Sequence, residues 1–424
     1  MRGLYEYANI LKQTTFASPG ILSVLRIHTF GKPLLPNLKT FTLENARGDA
    51  IPFIPLFLSP GTTTITVRAY ENLPEAVTAP MIAALPTLCP NLQCIALHGL
   101  PRVPIITTAL SDLLLTTDRN ILRQFCVNSH LLKAAHEAIC KLPALRKLQT
   151  VIDGPTALPT LVLPNLTELS IEYDRGHAWL QGFRGASLGK LASVRIHSES
   201  DSIGHFLGEF ERVALTTSIP ATLLEFKFYS SRAWKPNYRS LLPFTQLKEL
   251  VLGFSCELGC SSTIDDDTII DLARAMPKLE TLQFGDRPCQ TPAGVTAKGL
   301  FALTRYCAHL SELRIHFQVA SLSPPETPDL GSFYSWSVPE GGCALTVLDV
   351  GEIRLPEESS LMVAITLLRI FPRLKCIEHD GGWEKVADAI SHSGKLACCL
   401  GKRSTFSTPR RTVDDTSPGS SVIL

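Results

Sequence analysis

The first residues to weigh are those whose type and spacing could do chemistry. Cys256-x-x-x-Cys260 is the tightest cysteine pair apart from Cys398-Cys399. A structural zinc site needs four ligands, hence a second matched pair, and none lies nearby. Asp265-Asp266-Asp267 offers hard oxygen ligands, but lacks the alternating spacing, turn glycine and distal glutamate of a calcium loop. Acidic residues just ahead of an apolar run fit better as a helix cap and a first-turn charge. Neither set implies a metal or a cofactor. No Gly-x-Ser-x-Gly, Gly-x-x-x-x-Gly-Lys-Ser/Thr or His-Glu-x-x-His pattern occurs, so the spacing predicts no enzyme.

Arg-Ile-His occurs three times, at Arg26-Ile27-His28, Arg195-Ile196-His197 and Arg314-Ile315-His316. If each triplet is a strand whose Ile enters the core, Arg and His project together from the other side. Guanidinium groups presented this way suit carboxylate or phosphate on a peptide. The strongest local patch is Arg195 and His197 beside Lys227 and Tyr229, with Arg314 and His316 a second candidate. These six residues are the candidate protein-binding set. The first two triplets lie seven units apart, roughly 34 Å at the usual spacing of neighbouring strands, so they form no common pocket. In the tail, Thr408-Pro409, Ser417-Pro418 and Arg410-Arg411 could take part in a phosphorylation switch, though such dipeptides are common by chance.

These side chains must be positioned by a repeat. A Leu-x-x-Leu-x-Leu-like unit returns along the chain, clearest at Leu92-x-x-Ile95-x-Leu97, Leu166-x-x-Leu169-x-Ile171 and Leu247-x-x-Leu250-x-Leu252. Its first residues are Leu22, Leu38, Thr62, Leu92, Leu122, Leu145, Leu166, Leu191, Leu223, Leu247, Leu279, Leu310, Leu345 and Leu374. Steps between them run from 16 to 35 residues, about 27 on average, within the range of leucine-rich repeats. Thr62 and Leu145 open the weakest units. The alternation within a unit predicts a short strand. Several returns have helical spacing: Ile203 to Ala214, Ile269 to Met276, Leu300 to Leu303, and Leu361-Met362-x-x-Ile365-x-x-Leu368. Most stop near Pro90, Pro143, Pro277 or Pro372. One unit is too small to bury its own apolar face and must stack on the next. The expected fold is therefore α/β, an irregular leucine-rich-repeat solenoid: a curved horseshoe with parallel strands inside and helices outside. Residues 1–21 read as an N-terminal linker remnant or cap, 22–400 as the solenoid and 401–424 as a disordered tail. Ser321 to Glu340, rich in proline, reads as a loop insertion.

Composition narrows the partners. Forty Lys and Arg stand against 39 Asp and Glu, without the clustered cationic excess that nucleic acid requires. No apolar stretch is long enough for a membrane span, and the first residues hold no secretory h-region. Many of the 12 cysteines fall within or beside repeat units, as reduced core thiols do in the cytoplasm or nucleus.

The run Gly294 to Gln318 carries Gly299-Leu300-x-x-Leu303-x-x-x-Cys307-x-x-Leu310-x-x-Leu313-x-Ile315. It resembles the cysteine-containing leucine-rich repeats of F-box proteins. Leu34-Leu35-Pro36-Asn37-Leu38-Lys39-Thr40-Phe41 and Ala273 to Leu282 are similar to the basidiomycete-type F-box-like proteins. That resemblance implies a substrate-recognising receptor of a ubiquitin ligase, with a Skp-type adaptor and a cullin-RING ligase as partners where a longer product carries an F-box. The F-box itself finds no room ahead of Leu22. The alternative is an F-box-less scaffold or regulator. No asparagine ladder follows the strands, so the turns must satisfy their backbone groups by other means.

Overall fold

The computed structural model describes residues 19–28, 32–69, 73–152, 160–173, 186, 188–198, 207–208, 210–212, 219–230, 238–254, 264–285, 294–322, 343–351, 355, 360–379 and 382–394. The strands are β1 (Thr40–Leu43), β2 (Thr64–Arg68), β3 (Cys94–His98), β4 (Gln124–His130), β5 (Lys147–Ile152), β6 (Glu168–Tyr173) and β7 (Ser193–Ser198). They continue with β8 (Glu225–Ser230), β9 (Glu249–Phe254), β10 (Thr281–Phe284), β11 (Glu312–Arg314), β12 (Val347–Gly351) and β13 (Cys376–His379). All thirteen join one parallel sheet whose strand order is the sequence order. The helices are α1 (Pro19–His28), α2 (Glu75–Leu88), α3 (Pro104–Thr116), α4 (Lys133–Ile139), α5 (Ile219–Thr222), α6 (Asp266–Ala275), α7 (Ala297–Tyr306), α8 (Ser360–Ile370) and α9 (Glu384–Gly394). No helix among the described residues is long and apolar enough to cross a membrane.

Each strand opens two residues after a predicted unit start, from Leu38 to Leu374. Period-two alternation then sorts the side chains. In β6, Leu169, Ile171 and Tyr173 are buried while Glu168 is exposed. Register aligns the second strand residues into one row: Phe41, Ile65, Ile95 and Phe125 at one end, Leu313, Leu348 and Ile377 at the other. That row and the inward residues of the helices form one continuous apolar core. The opposite side of the sheet, its open face, carries the intervening polar residues.

The turns solve their hydrogen bonding without asparagine rungs. At each junction one carbonyl accepts two successive N–H groups of the next unit. The Lys39 carbonyl takes Thr63 and Thr64, Gln93 takes Arg123 and Gln124, and Ser311 takes Thr346 and Val347. Hydroxyls reinforce this spine: Thr63, Thr167, Ser311 and Thr346 donate to the same carbonyls. Asn91 and Asn165 donate to the carbonyls of Pro60 and Pro143 in the preceding turns. Thr62, at the weak unit, is fully buried and donates its hydroxyl to the Leu38 carbonyl at 3.0 Å.

Two expectations are corrected. The first unit, at Leu22, is not a strand: Arg26, Ile27 and His28 lie in α1, and Ile27 is 71% exposed. Pro19 at its first position pre-sets a helix, and Leu22 packs on Phe53 and Leu56. In α8 the helix is as expected but its buried face is not. Leu361, Met362 and Ile365 are exposed, whereas Val363, Ala364, Leu367 and Ile370 are buried. This helix is apolar nearly all round, so spacing alone cannot choose its inner side. Most of the Ile203–Ala214 helix, most of the Ser321–Glu340 insertion and the whole 401–424 tail lie outside the described residues.

Candidate functional site

On the open face, β7 and β8 run side by side in register. Arg195 pairs with Lys227, and His197 with Tyr229. The flanking strands place Ser170 and Val251 in the first row, Glu172 and Gly253 in the second. All four predicted residues therefore share one patch. The His197 and Tyr229 rings stack, with centroids 4.7 Å apart and planes 15° from parallel.

Its charges are largely compensated. Lys227 Nζ lies 2.7 Å from Glu249 Oε1. Glu172 takes Arg102, which reaches over from the loop after β3. Glu225 accepts a hydrogen bond from Ser193 Oγ at 3.1 Å. Arg195 is exposed and makes no hydrogen bond or ion pair among the described residues. Burial pushes the His197 imidazole below its ordinary value; Glu172 opposes this and Arg195 adds to it. At neutral pH His197 is therefore uncharged. The patch offers one uncommitted guanidinium beside a neutral aromatic pair and several carboxylates. Chemically it can hydrogen-bond, stack and pair with charge of either sign.

Arg314 and His316 stand apart, four strands from Arg195, roughly 19 Å along the sheet. Arg314 Nε lies 3.2 Å from Asp349 Oδ2. Asp349 is in register with Glu378 on β13. Burial raises the Glu378 carboxyl, and Asp349 and Glu312 raise it further by like-charge repulsion. Burial lowers the His316 imidazole, as does Arg314. The structure thus keeps two patches, not one, and Arg26 belongs to neither.

Alternation along the strands located the four residues. It could not locate their ionic partners. Glu249 is on the next strand, two residues before Val251, the register partner of Lys227, and Arg102 stands 70 residues before Glu172. The only available signal was that Glu168 and Glu172 occupy outward positions of β6.

The remaining chemical candidates behave as follows. Asp265 caps α6, accepting from Thr268 N at 2.8 Å. Cys256 and Cys260 lie outside the described residues, among which no group of three His, Cys, Asp or Glu could hold a metal. Burial pushes the Cys89 and Cys126 thiols up to about 11, and those of Cys140 and Cys307 to about 12. These are protonated, unreactive sulfurs. No protein-family model and no curated protein matches the chain.

Proposed function

We propose that this chain is a leucine-rich-repeat solenoid, a curved horseshoe whose inner, open face holds another polypeptide without catalysing a reaction. The observation that carries this reading is the strand order: thirteen parallel strands succeed one another as in the sequence. Such serial stacking yields an extended surface rather than a converged pocket. On that surface the residues around β7 and β8 are the contact site. A partner segment must bring a carboxylate for Arg195 and a flat or apolar group for the His197–Tyr229 stack.

The F-box resemblance extends the proposal. The chain is the substrate-recognition part of an F-box-like ubiquitin-ligase receptor, with a Skp-type adaptor and a cullin-RING ligase as partners where a longer product carries an F-box. The packing of the motif supports this. Cys307 Sγ donates to the Ala273 and Met276 carbonyls, 3.7 Å each, at the end of the preceding helix. The cysteine of the pattern thus closes one repeat onto another. The described cysteines are free thiols, which supports a reducing compartment, cytoplasm or nucleus. The second reading, a scaffold or regulator that binds proteins without ubiquitination, rests on the same open face.

Immunoprecipitation of the native protein followed by mass spectrometry separates the two. Adaptor and cullin in the precipitate support the receptor; a reproducible partner set lacking both supports the scaffold. Arg195→Glu combined with Tyr229→Ala should abolish recovery of the specific partner while the chain stays folded by circular dichroism. Undiminished recovery removes the contact site from this patch.

A further inference from the structure

Three of the last units share a basic pattern. Arg274-x-x-x-Lys278-Leu279 leads into β10, Arg305-x-x-x-His309-Leu310 into β11 and Arg369-x-x-x-Arg373-Leu374 into β13. The turns into β3, β4 and β5 hold Thr87 and Asn91, Thr117 and Ile121, and Cys140 and Ala144 at the same two positions. Each arginine lies in the last turn of its helix, α6, α7 or α8. The helix dipole does not demand this, because α2 and α3 end without a basic residue. All six basic side chains are exposed.

Stacking turns this pattern into a surface. Ser311 N donates to the Glu280 carbonyl, Thr346 N to that of Ser311 and Lys375 N to that of Thr346. Lys278 to Arg373 is thus three steps, roughly 14 Å along the sheet. The Arg274 and Arg305 Cζ atoms lie 5.3 and 5.5 Å from the centroid of one ring, Tyr306. Cation–π contact places both guanidinium groups before any partner arrives. One helical turn back from each arginine stands an apolar residue: Ile270 and Phe301 are half-buried, and Ile365 is 51% exposed. On α8 the exposed Leu361 and Met362 extend that row. The acids beside it are Asp271, which attracts Arg274, and Glu280, which Lys248 holds at 2.6 Å. We propose that this helix-side edge is a second docking surface, for an acidic, amphipathic segment of a partner protein. Carboxylates of that segment meet Arg274, Arg305 and Arg373, for which guanidinium forks are suited. Its aliphatic side chains cover Leu361 and Ile365. A nucleic-acid backbone supplies charge but nothing for the apolar row. The surface lies on the opposite side of the sheet from the β7–β8 patch and does not depend on it.

The test is fluorescence anisotropy on the full chain, with a labelled helical peptide carrying Leu on one face and Glu on the other. A twin peptide has Gln in place of every Glu. Wild type should bind the acidic peptide about tenfold more tightly than the twin. Arg274→Glu, Arg305→Glu and Arg373→Glu combined should weaken the acidic peptide by about tenfold or more while circular dichroism stays unchanged. The corresponding triple Gln variant, which puts no acid at a helix end, should show a smaller loss in the same direction. Ile365→Ser should also weaken binding, whereas Arg195→Glu and Lys133→Glu should bind as wild type does. No measurable binding, equal affinity for the two peptides, or a triple Glu variant that binds like wild type overturns the proposal. A loss confined to Arg195→Glu moves the acidic segment to the open face and overturns it too. Tighter binding of single-stranded RNA or of phosphatidylserine vesicles through the same three arginines overturns the assignment to a polypeptide.

Discussion

At the scale of single residues, burial decides chemistry more than residue type does. His136 sits on the core side of α4, and burial, with some repulsion from His130, pushes its imidazole down to about 4 from 6.5. Between those values the unfolded chain binds a proton that the folded chain refuses. Stability is therefore full above pH 6.5 and falls as pH drops towards 4, by roughly 3 kcal/mol across the whole window. Urea unfolding at pH 7 and pH 4.5 should show wild type losing roughly 2 kcal/mol more than His136→Leu. Equal losses would mean that His136 titrates normally. The same logic orders the thiols. Cys94 and Cys376 are half-buried, whereas Cys89, Cys126, Cys140, Cys307 and Cys343 are buried. At pH 8 a small alkylating reagent, followed by peptide mapping, should modify the first two well before the other five. Uniform rates would contradict the packing. The burial of Cys89, Cys126, Cys307 and Cys343 was legible from the repeat pattern, whereas the partial exposure of Cys94 and Cys376 and the surroundings of His136 were not. The candidate patch was half legible: outward strand positions identified Arg195, His197, Lys227 and Tyr229, while their compensation by Glu249, Glu172 and Arg102 depends on register and on a distant loop.

At the scale of elements, the strands were readable because each unit states its core twice, in a leading aliphatic and an alternating pair. Helices were readable only where polarity marks one side. In α6 the acids at Asp265, Asp266 and Asp267 and the inward Ile269, Leu272 and Ala273 agree. In α8 apolar residues on every side left the face undetermined. The fine structure of the repeat pattern also has physical content that no pattern states. Asp266 Oδ1 accepts from the Thr296 and Gly299 amides at 2.8 and 2.9 Å, and its Oδ2 accepts from Thr296 Oγ1 at 2.6 Å. One carboxylate thus satisfies the opening amides of α7 from the helix before it. A Cβ at Gly299 would stand 2.6 Å from that oxygen, so the motif glycine makes the approach possible. Asp266→Ala leaves two helix-end amides unpaired and should cost roughly 2–3 kcal/mol in urea unfolding. Asp267, exposed and paired with Lys298 at 3.2 Å, is the control: Asp267→Ala should stay within about 0.5 kcal/mol. If the two substitutions cost the same, the carboxylate bridge does not hold α6 to α7.

At the scale of the whole molecule, what governs behaviour is that every strand pairs only with its neighbours in sequence. Backbone pairing links no strand of β1–β3 to β7–β9, although Arg102 after β3 reaches Glu172 on β6, so stability is chiefly a series of junctions rather than one closed contact network. Phe226 tests this. It is fully buried on β8 and packs against Phe210, whose ring also stacks on Phe244, with centroids 5.4 Å apart in both pairs. Phe226→Ala removes one partner of the Phe210 ring and should cost about 3–5 kcal/mol locally. Because the loss falls on the β7–β8 and β8–β9 junctions, it should open that region without opening the whole chain. Hydrogen exchange read by mass spectrometry in mild urea should show Ser193–Phe254 losing protection while Thr40–His98 keeps the protection of wild type. Had the sheet closed on itself, the same substitution would destabilise every strand equally. Simultaneous loss of protection from β1 to β13 would therefore show that the strands fold as one cooperative body, and the serial architecture on which the proposed binding surface rests would have to be abandoned.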